Sequence, residues 1–351
     1  MKVGIIGCGG ISPAHMAAYK NIENVELVAL CDLDAQRAKT LAKKFNVKNT
    51  YTDYWEMFKK EDLDSVDICT PLTTHAKIVC DAAEAVPAIL LEKPMALNVS
   101  QCKEMVKKTE KTGTKLSIAH CQIFSPNIKK AKSIADSELF NLLTFHTTLK
   151  ASFENLRAHN LASPWNVLPE QRGIIWEVCS HHAYLQLHFL PDIKEVYALG
   201  EKAKYSVYDD FAVLLRTSGK RYGMIEISWI PNETEVIYEL KDSAGRRVTI
   251  NWEYDYLLEK NLSPPLTVGL VAKNVLVDFK RYLKKWTRFG LSYIQKRKML
   301  PIQNVVKEYV NAIQNDLPVP VTPQDGMNTI NLLECIETSL NEKRSVHFTK
   351  N

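Results

Sequence analysis

Through the first third of the chain, apolar residues come in short unbroken runs, each stopped by a glycine, an acid or a turn residue. The runs fall at residues 3–6, 26–31, 65–69, 88–91 and 115–119, and 49–52 reads as a short further strand. Runs of this length, rich in Val, Ile and Leu, predict strands buried on both faces. Between them the apolar positions change to helical spacing. Residues 34–45 place Ala35, Ala38, Leu41, Ala42 and Phe45 on one side, and 54–58, 74–85 and 100–111 follow the same rule. Strand and helix in regular alternation predict a parallel, doubly wound sheet, whose ligands bind at the carboxyl ends of its strands. Gly7, Asp32, Thr70 and Glu92 all fall at such ends.

Beyond about residue 122 the rhythm changes. Residues 141–150 read as a strand and 173–190 as a helix. The alternating runs 211–215 and 222–227 flank Ser218-Gly219, and 235–240 and 246–250 flank Asp242-Ser243-Ala244-Gly245. Both are hairpin signals, and consecutive hairpins predict an antiparallel sheet. The expected fold is therefore α/β: a Rossmann sheet at the N-terminus and an α+β domain with a largely antiparallel sheet after it. The boundary is set at 1–122 and 123–351, with a basic helical insertion at about 268–300.

Composition narrows the class. With 351 residues, 46% hydrophobic and 24% charged, the chain reads as a soluble globular protein of two domains. A net charge of +5 is small for that length and points to no nucleic-acid partner. The eight cysteines show no C-x-x-C pair and no zinc spacing, and several sit inside strand runs, so they read as reduced core residues. A strand starting at residue 2 leaves no room for a signal peptide, and no apolar run is long enough to span a bilayer, so a cytoplasmic location is expected. Residues 273–298 hold nine Lys or Arg against one acid, with Leu276, Val277, Tyr282, Leu283 and Trp286 as an apolar side. That composition suits either a membrane surface or a helix packed on its own protein; the second is expected, with no membrane contact.

The first candidate chemistry is Gly7-Cys8-Gly9-Gly10-Ile11, lying between the first strand and a helix opening at Ser12-Pro13. Gly7 permits the sharp turn, Gly9 lets backbone approach a pyrophosphate, and the helix start offers free N–H groups to the anion. Ser12 stands where the third glycine of G-x-G-x-x-G would be. Asp32 ends the second strand 25 residues after Gly7, where a carboxylate accepts the hydroxyls of an adenosine ribose. It also repels a 2′-phosphate, which favours NAD over NADP.

Three further groups complete a pattern: Thr70-Pro71-Leu72-Thr73-Thr74-His75 after one strand, Glu92-Lys93-Pro94 after another, and Gly173-Ile174-Ile175-Trp176-Glu177-Val178-Cys179-Ser180-His181 opening a helix. With the glycine corner and Asp32, these resemble the glucose-fructose oxidoreductase / inositol dehydrogenase family, the Gfo/Idh/MocA group. The resemblance covers nearly the whole chain, down to Val321-Thr322-Pro323-Gln324-Asp325-Gly326 before the last helix. It implies cofactor contacts from Gly7, Gly9, Gly10, Ile11, Asp32, Thr70, Pro71, His75, Glu92, Lys93 and Pro94. Lys93 would hydrogen-bond the reacting oxygen, Pro94 would follow a cis bond, and His181 would be the general base or acid. Glu177 stands where the family usually has aspartate.

Residues 177 and 181 are i and i+4, so on one helix they share a face, and a carboxylate there can orient the imidazole or bind a neighbouring hydroxyl. His182 reads as a core histidine, and His188 finds no further ligands, so no metal site is expected. The reading is an NAD-dependent oxidoreductase acting on a secondary hydroxyl of a sugar, cyclitol or sugar derivative, with a homodimer or homotetramer formed through the second sheet. Two alternatives stay open: a reductase of a non-sugar carbonyl or conjugated substrate, and a non-catalytic dinucleotide sensor.

Overall fold

In the computed structural model, which describes residues 1–158, 164–253, 255–261 and 300–350, two sheets carry the chain. The first contains β1 (Lys2–Ile6), β2 (Glu26–Cys31), β3 (Asn49–Tyr51), β4 (Ser65–Ile68), β5 (Ala88–Leu91) and β6 (Lys115–Ile118). Their order is β3-β2-β1-β4-β5-β6, and every pair is parallel. The order reverses beside β1, so the carboxyl ends of β1 and β4 diverge around a crevice, the place where such sheets bind ligands. All four residues of β4 and of β5 are buried, Asp67 of β4 among them.

The second sheet contains β7 (Leu142–Lys150), β8 (Ile193–Glu201), β9 (Asp210–Thr217), β10 (Tyr222–Ser228), β11 (Glu235–Asp242), β12 (Arg246–Asn251), β13 (Tyr256–Asn261) and β14 (Val346–His347). Its order is β13-β12-β11-β7-β10-β9-β8-β14. Both expected hairpins are present, β9–β10 and β11–β12. One pair departs from the antiparallel expectation: β7 lies parallel to β10, with Tyr222 opposite Thr144 and Ser228 opposite Lys150. The reason is topological. The chain leaves β7 through helices and re-enters the sheet at its far edge, so the two hairpins close on β7 from opposite sides.

Strict alternation along β9 turns Phe211, Val213, Leu215 and Thr217 inward. The inner face is covered by the helices Cys179–Phe189 and Pro323–Glu342, the second opened by a capping box between Thr322 and Asp325. The last helix also touches β6 and the helix Val99–Thr112, so it ties the two sheets together. All eight cysteines are free. The basic stretch 273–298 lies outside the described residues. No helix among those described is long and apolar enough to cross a membrane.

Candidate active site

The glycine corner is shaped by two different needs. Gly7 adopts φ +94°, and a Cβ there would stand 2.5 Å from the Cys69 carbonyl oxygen, so only glycine fits between β1 and β4. At Gly9 and Gly10 an added Cβ meets nothing within 4 Å: these glycines leave space in front of the loop. Ser12 Oγ donates to the Gly9 carbonyl at 3.0 Å and closes the loop onto the helix Ser12–Tyr19. Asp32 takes the Cys8 N–H at 2.7 Å on one oxygen and the Asp34 N–H at 2.9 Å on the other. The carboxylate thus braces the loop against the end of β2. Capping of the next helix is left to Asp34, which accepts from Gln36 and Arg37. An open glycine loop, a helix start and a fixed carboxylate fit the pyrophosphate and ribose of a dinucleotide.

Beneath this corner lies a charged cluster that sequence reasoning missed. His15, from the same helix, is fully buried and spans two carboxylates: Nδ1 lies 2.8 Å from Asp67 on β4, and Nε2 lies 2.8 Å from Glu92 after β5. Burial opposes the imidazolium, but Asp67, with Cys69 behind it, outweighs that and holds His15 well above the usual histidine range. Glu92 uses its second oxygen to accept the Lys93 N–H at 3.1 Å. Glu92 therefore faces the interior and not the crevice. The signal for the cluster was Asp67, an acid inside the buried strand run 65–69, which demands a partner. His15, Asp67 and Cys69 are also the one group with metal-ligand atoms close together among the described residues, within 4.8 Å, although the imidazole and carboxylate already engage each other.

The Lys93–Pro94 peptide is cis. His75, fully buried, bridges this bend to the Thr70 loop: Nδ1 meets the Pro94 carbonyl and Nε2 the Thr70 carbonyl, each at 2.9 Å. It is a brace between two crevice loops, and Thr70 is further held by the Thr74 hydroxyl at 2.8 Å. Pro71 and Ile11 are exposed, Ile11 to 37%.

Lys93 points across to the second sheet's helices. Its ammonium donates to Glu177 twice, to the side-chain Oε1 and to the backbone carbonyl, both at 3.0 Å. Burial disfavours the charge, but Glu177 and Glu92 outweigh it and raise the Lys93 pKa. The opposing helix is fixed where it begins. Trp176 donates its indole N–H to the Ala96 carbonyl at 3.2 Å, and the Arg172 guanidinium stacks on Trp176 at 3.7 Å while donating to the Leu97 carbonyl at 2.9 Å.

The helix expected over 173–190 is two helices, Gly173–Glu177 and Cys179–Phe189, broken at Val178. Lys93 and Ser180 Oγ take the Glu177 carbonyl, so the His181 N–H turns to Val178 instead, at 3.1 Å. The break separates Glu177 from His181. Glu177 pairs with Lys93, whereas the His181 Nδ1 lies 2.8 Å from the hydroxyl of Tyr184. Burial, the Lys93 charge, and His182 and His120 beside it push the His181 pKa well down. His182 packs inside, edge-on to Tyr238 at 5.8 Å.

Known proteins match this arrangement over its length. Residues 1–120 match the oxidoreductase family with an NAD-binding Rossmann fold, and residues 134–250 match the GFO/IDH/MocA C-terminal domain. A D-apiose dehydrogenase of Rhizobium rhizogenes is 31% identical over 99% of this chain and 97% of its own length. The chain belongs to the Gfo/Idh/MocA family. It is an NAD-binding oxidoreductase, and its relatives are named dehydrogenases. A myo-inositol 2-dehydrogenase of Thermotoga maritima is 24% identical over 99% of this chain and 98% of its own. The WlbA dehydrogenase of Bordetella pertussis, solved with NADH and UDP-GlcNAcA, shares the fold at a TM-score of 0.82 and 17% identity, covering 100% of this chain and 98% of that one.

Proposed function

We propose that this oxidoreductase transfers a hydride between NAD and a secondary hydroxyl or keto group of a sugar, cyclitol or related polyhydroxylated compound, with Lys93 and His181 at the reacting oxygen. The observation that carries the reading is that Lys93 crosses to the helix break before His181, where it donates to the Glu177 carbonyl and carboxylate at 3.0 Å. The names of the relatives, which act on D-apiose and myo-inositol, support the substrate class.

Gly7, Gly9, Gly10 and Ile11 would hold the pyrophosphate, Asp32 the ribose hydroxyls, and Thr70, Pro71 and Pro94 the edge of the crevice. Bound NAD supplies the hydride acceptor. Lys93, kept charged by Glu177, donates a hydrogen bond to the alcohol oxygen and makes its proton easier to lose. His181, kept neutral, takes that proton on Nε2, which has no hydrogen-bond partner among the described residues. Glu177, with its side chain 44% exposed, is left to accept a neighbouring substrate hydroxyl.

Variants separate the roles. Lys93→Met and His181→Ala should keep NAD affinity within a few-fold and lower turnover, by about a hundredfold for the base. Gly9→Val should abolish NAD binding without lowering the melting temperature, because its side chain enters only the open space in front of the loop. Turnover of sugars and cyclitols at the parent rate by both Lys93→Met and His181→Ala would remove this site. The outer face of the second sheet supports assembly: Tyr197, Leu214 and Met224 are partly exposed on three adjacent strands, with Leu214 opposite both others. A homodimer or tetramer formed there should scatter light above the 39.9 kDa of one chain; a monomer would end that proposal.

A further inference from the structure

We propose that Tyr184 is the positioning residue of His181: its hydroxyl holds the Nδ1 side of the ring and so decides which form of Nε2 faces the substrate. The inference rests on reading His181 as the proton-transfer group.

Three observations isolate the hydroxyl as the working part of Tyr184. It lies 2.8 Å from Nδ1, while the two rings meet edge-on at 5.6 Å and 72°, so the contact is a directed hydrogen bond and not a stack. Its position is fixed from outside its own helix, because the Gln122 N–H donates to it at 3.1 Å and His120 stacks on its ring at 4.3 Å. Glu177, the carboxylate that helical spacing offers as an orienting group, is turned to Lys93. Nδ1 therefore has a hydroxyl for a partner.

That choice has a chemical consequence. A carboxylate only accepts, so it holds Nδ1–H and stabilises the imidazolium. A hydroxyl both donates and accepts. With Tyr184 donating to Nδ1, Nε2 carries the ring's only proton and can donate a hydrogen bond to a ketone oxygen, but it cannot take the proton of an alcohol. With Tyr184 accepting from Nδ1–H, Nε2 is bare and can take the proton of an alcohol. The hydroxyl thus selects the tautomer that takes the proton, and in the reverse direction the imidazolium so formed returns it from Nε2 to the ketone oxygen. The charged and titratable groups facing the ring are Lys93 from the end of β5, His120 from beyond β6, and His182 and Tyr184 on its own helix; none is an acid that would hold it protonated.

The test is Tyr184→Phe, which keeps the stacked ring and removes only the oxygen. In enzyme labelled with nitrogen-15 at histidine and saturated with NAD, the His181 Nδ1 signal should move and the tautomer balance change. Turnover, measured on the faster of myo-inositol and D-apiose, should fall about tenfold, the worth of one well-placed hydrogen bond. KM and NAD affinity should stay within about twofold. The double variant Tyr184→Phe/His181→Ala should be no slower than His181→Ala alone, since Tyr184 acts through the imidazole. An unmoved Nδ1 signal, or losses that multiply in the double variant, would overturn the proposal. If His181→Ala itself keeps the parent rate, the assignment of the base falls. If His181→Ala is slow while Tyr184→Phe is not, only the role of Tyr184 falls. Should Tyr184→Phe unfold, 3-fluorotyrosine at 184 retains ring and hydroxyl with a more acidic O–H. It should shift the Nδ1 signal, and no shift would count against the bond.

Discussion

His15 and His181 are both hydrogen-bonded at Nδ1, yet one is held charged and the other neutral. His15 sits between Asp67 and Glu92 under the dinucleotide corner and is held as a cation. His181 sits at the mouth of the crevice, faces Lys93, and is held neutral, with a hydroxyl and no acid at Nδ1. The comparison teaches that the imidazole has no fixed role in this fold; the neighbours decide it. Two carboxylates make a histidine into a fastener, here joining the helix after the glycine loop to β4 and to the residue before Lys93. Burial beside a cation leaves a histidine neutral, with one nitrogen free for a proton.

The largest effect that can break the comparison is loss of the fastener. His15→Leu strands Asp67 and Glu92 in the interior, and removing one member of a buried charged group costs on the order of 3–5 kcal/mol. Part of that returns if a stranded carboxylate takes up a proton. His181→Ala removes a half-buried ring with no paired charge and should cost about 1 kcal/mol in stability, while its damage is to turnover. Urea unfolding of both variants, followed by circular dichroism, separates them. Equal losses of stability would mean that His15 carries no charge worth pairing.

The sequence was readable where the cause is local. Gly7 to Gly10, Ser12 and Asp32 lie on one strand–turn–helix unit and the strand beside it, and the chemistry of the corner follows from their spacing. Ser218-Gly219 and Asp242 to Gly245 mark their hairpins for the same reason. What stayed hidden depends on distant partners. Asp67 and Glu92 are 52 and 77 positions from His15, and only the order of β1, β4 and β5 brings them together. The parallel pairing of β7 with β10 joins strands that no turn connects. At Val178 the helix breaks because Lys93, 84 positions before Glu177, takes its carbonyl. No periodicity within 173–190 records that. The i and i+4 spacing of Glu177 and His181 was real, and a lysine from the other domain overrode it.

The finest test of the comparison is the pH dependence of stability, since the two histidines have opposite signs. His15 has a folded pKa above its unfolded value. Its stabilisation is complete below about pH 6.5 and is lost as pH rises towards the folded value. His181 has a folded pKa below its unfolded value, as do His120 and His182, both pushed down to about 3 by burial. These three remain neutral in the fold above pH 6.5 and cost stability chiefly as pH falls below it, when the unfolded chain binds protons that the fold refuses. Between pH 7 and 8, His15 contributes most among the four, and its share of the unfolding free energy should fall with pH by up to about 1.4 kcal/mol per unit, offset by about 0.1 kcal/mol for each depressed histidine. The window closes near pH 8, because buried thiols such as Cys8 and Cys31, pushed up to about 12, add losses of the same sign above it. In His15→Gln the fall across pH 7 to 8 should vanish, and the acid-side loss should remain. A parent whose stability is level from pH 7 to 8, or a variant with the parent's slope, would place a neutral imidazole between Asp67 and Glu92 and erase the contrast between the two histidines.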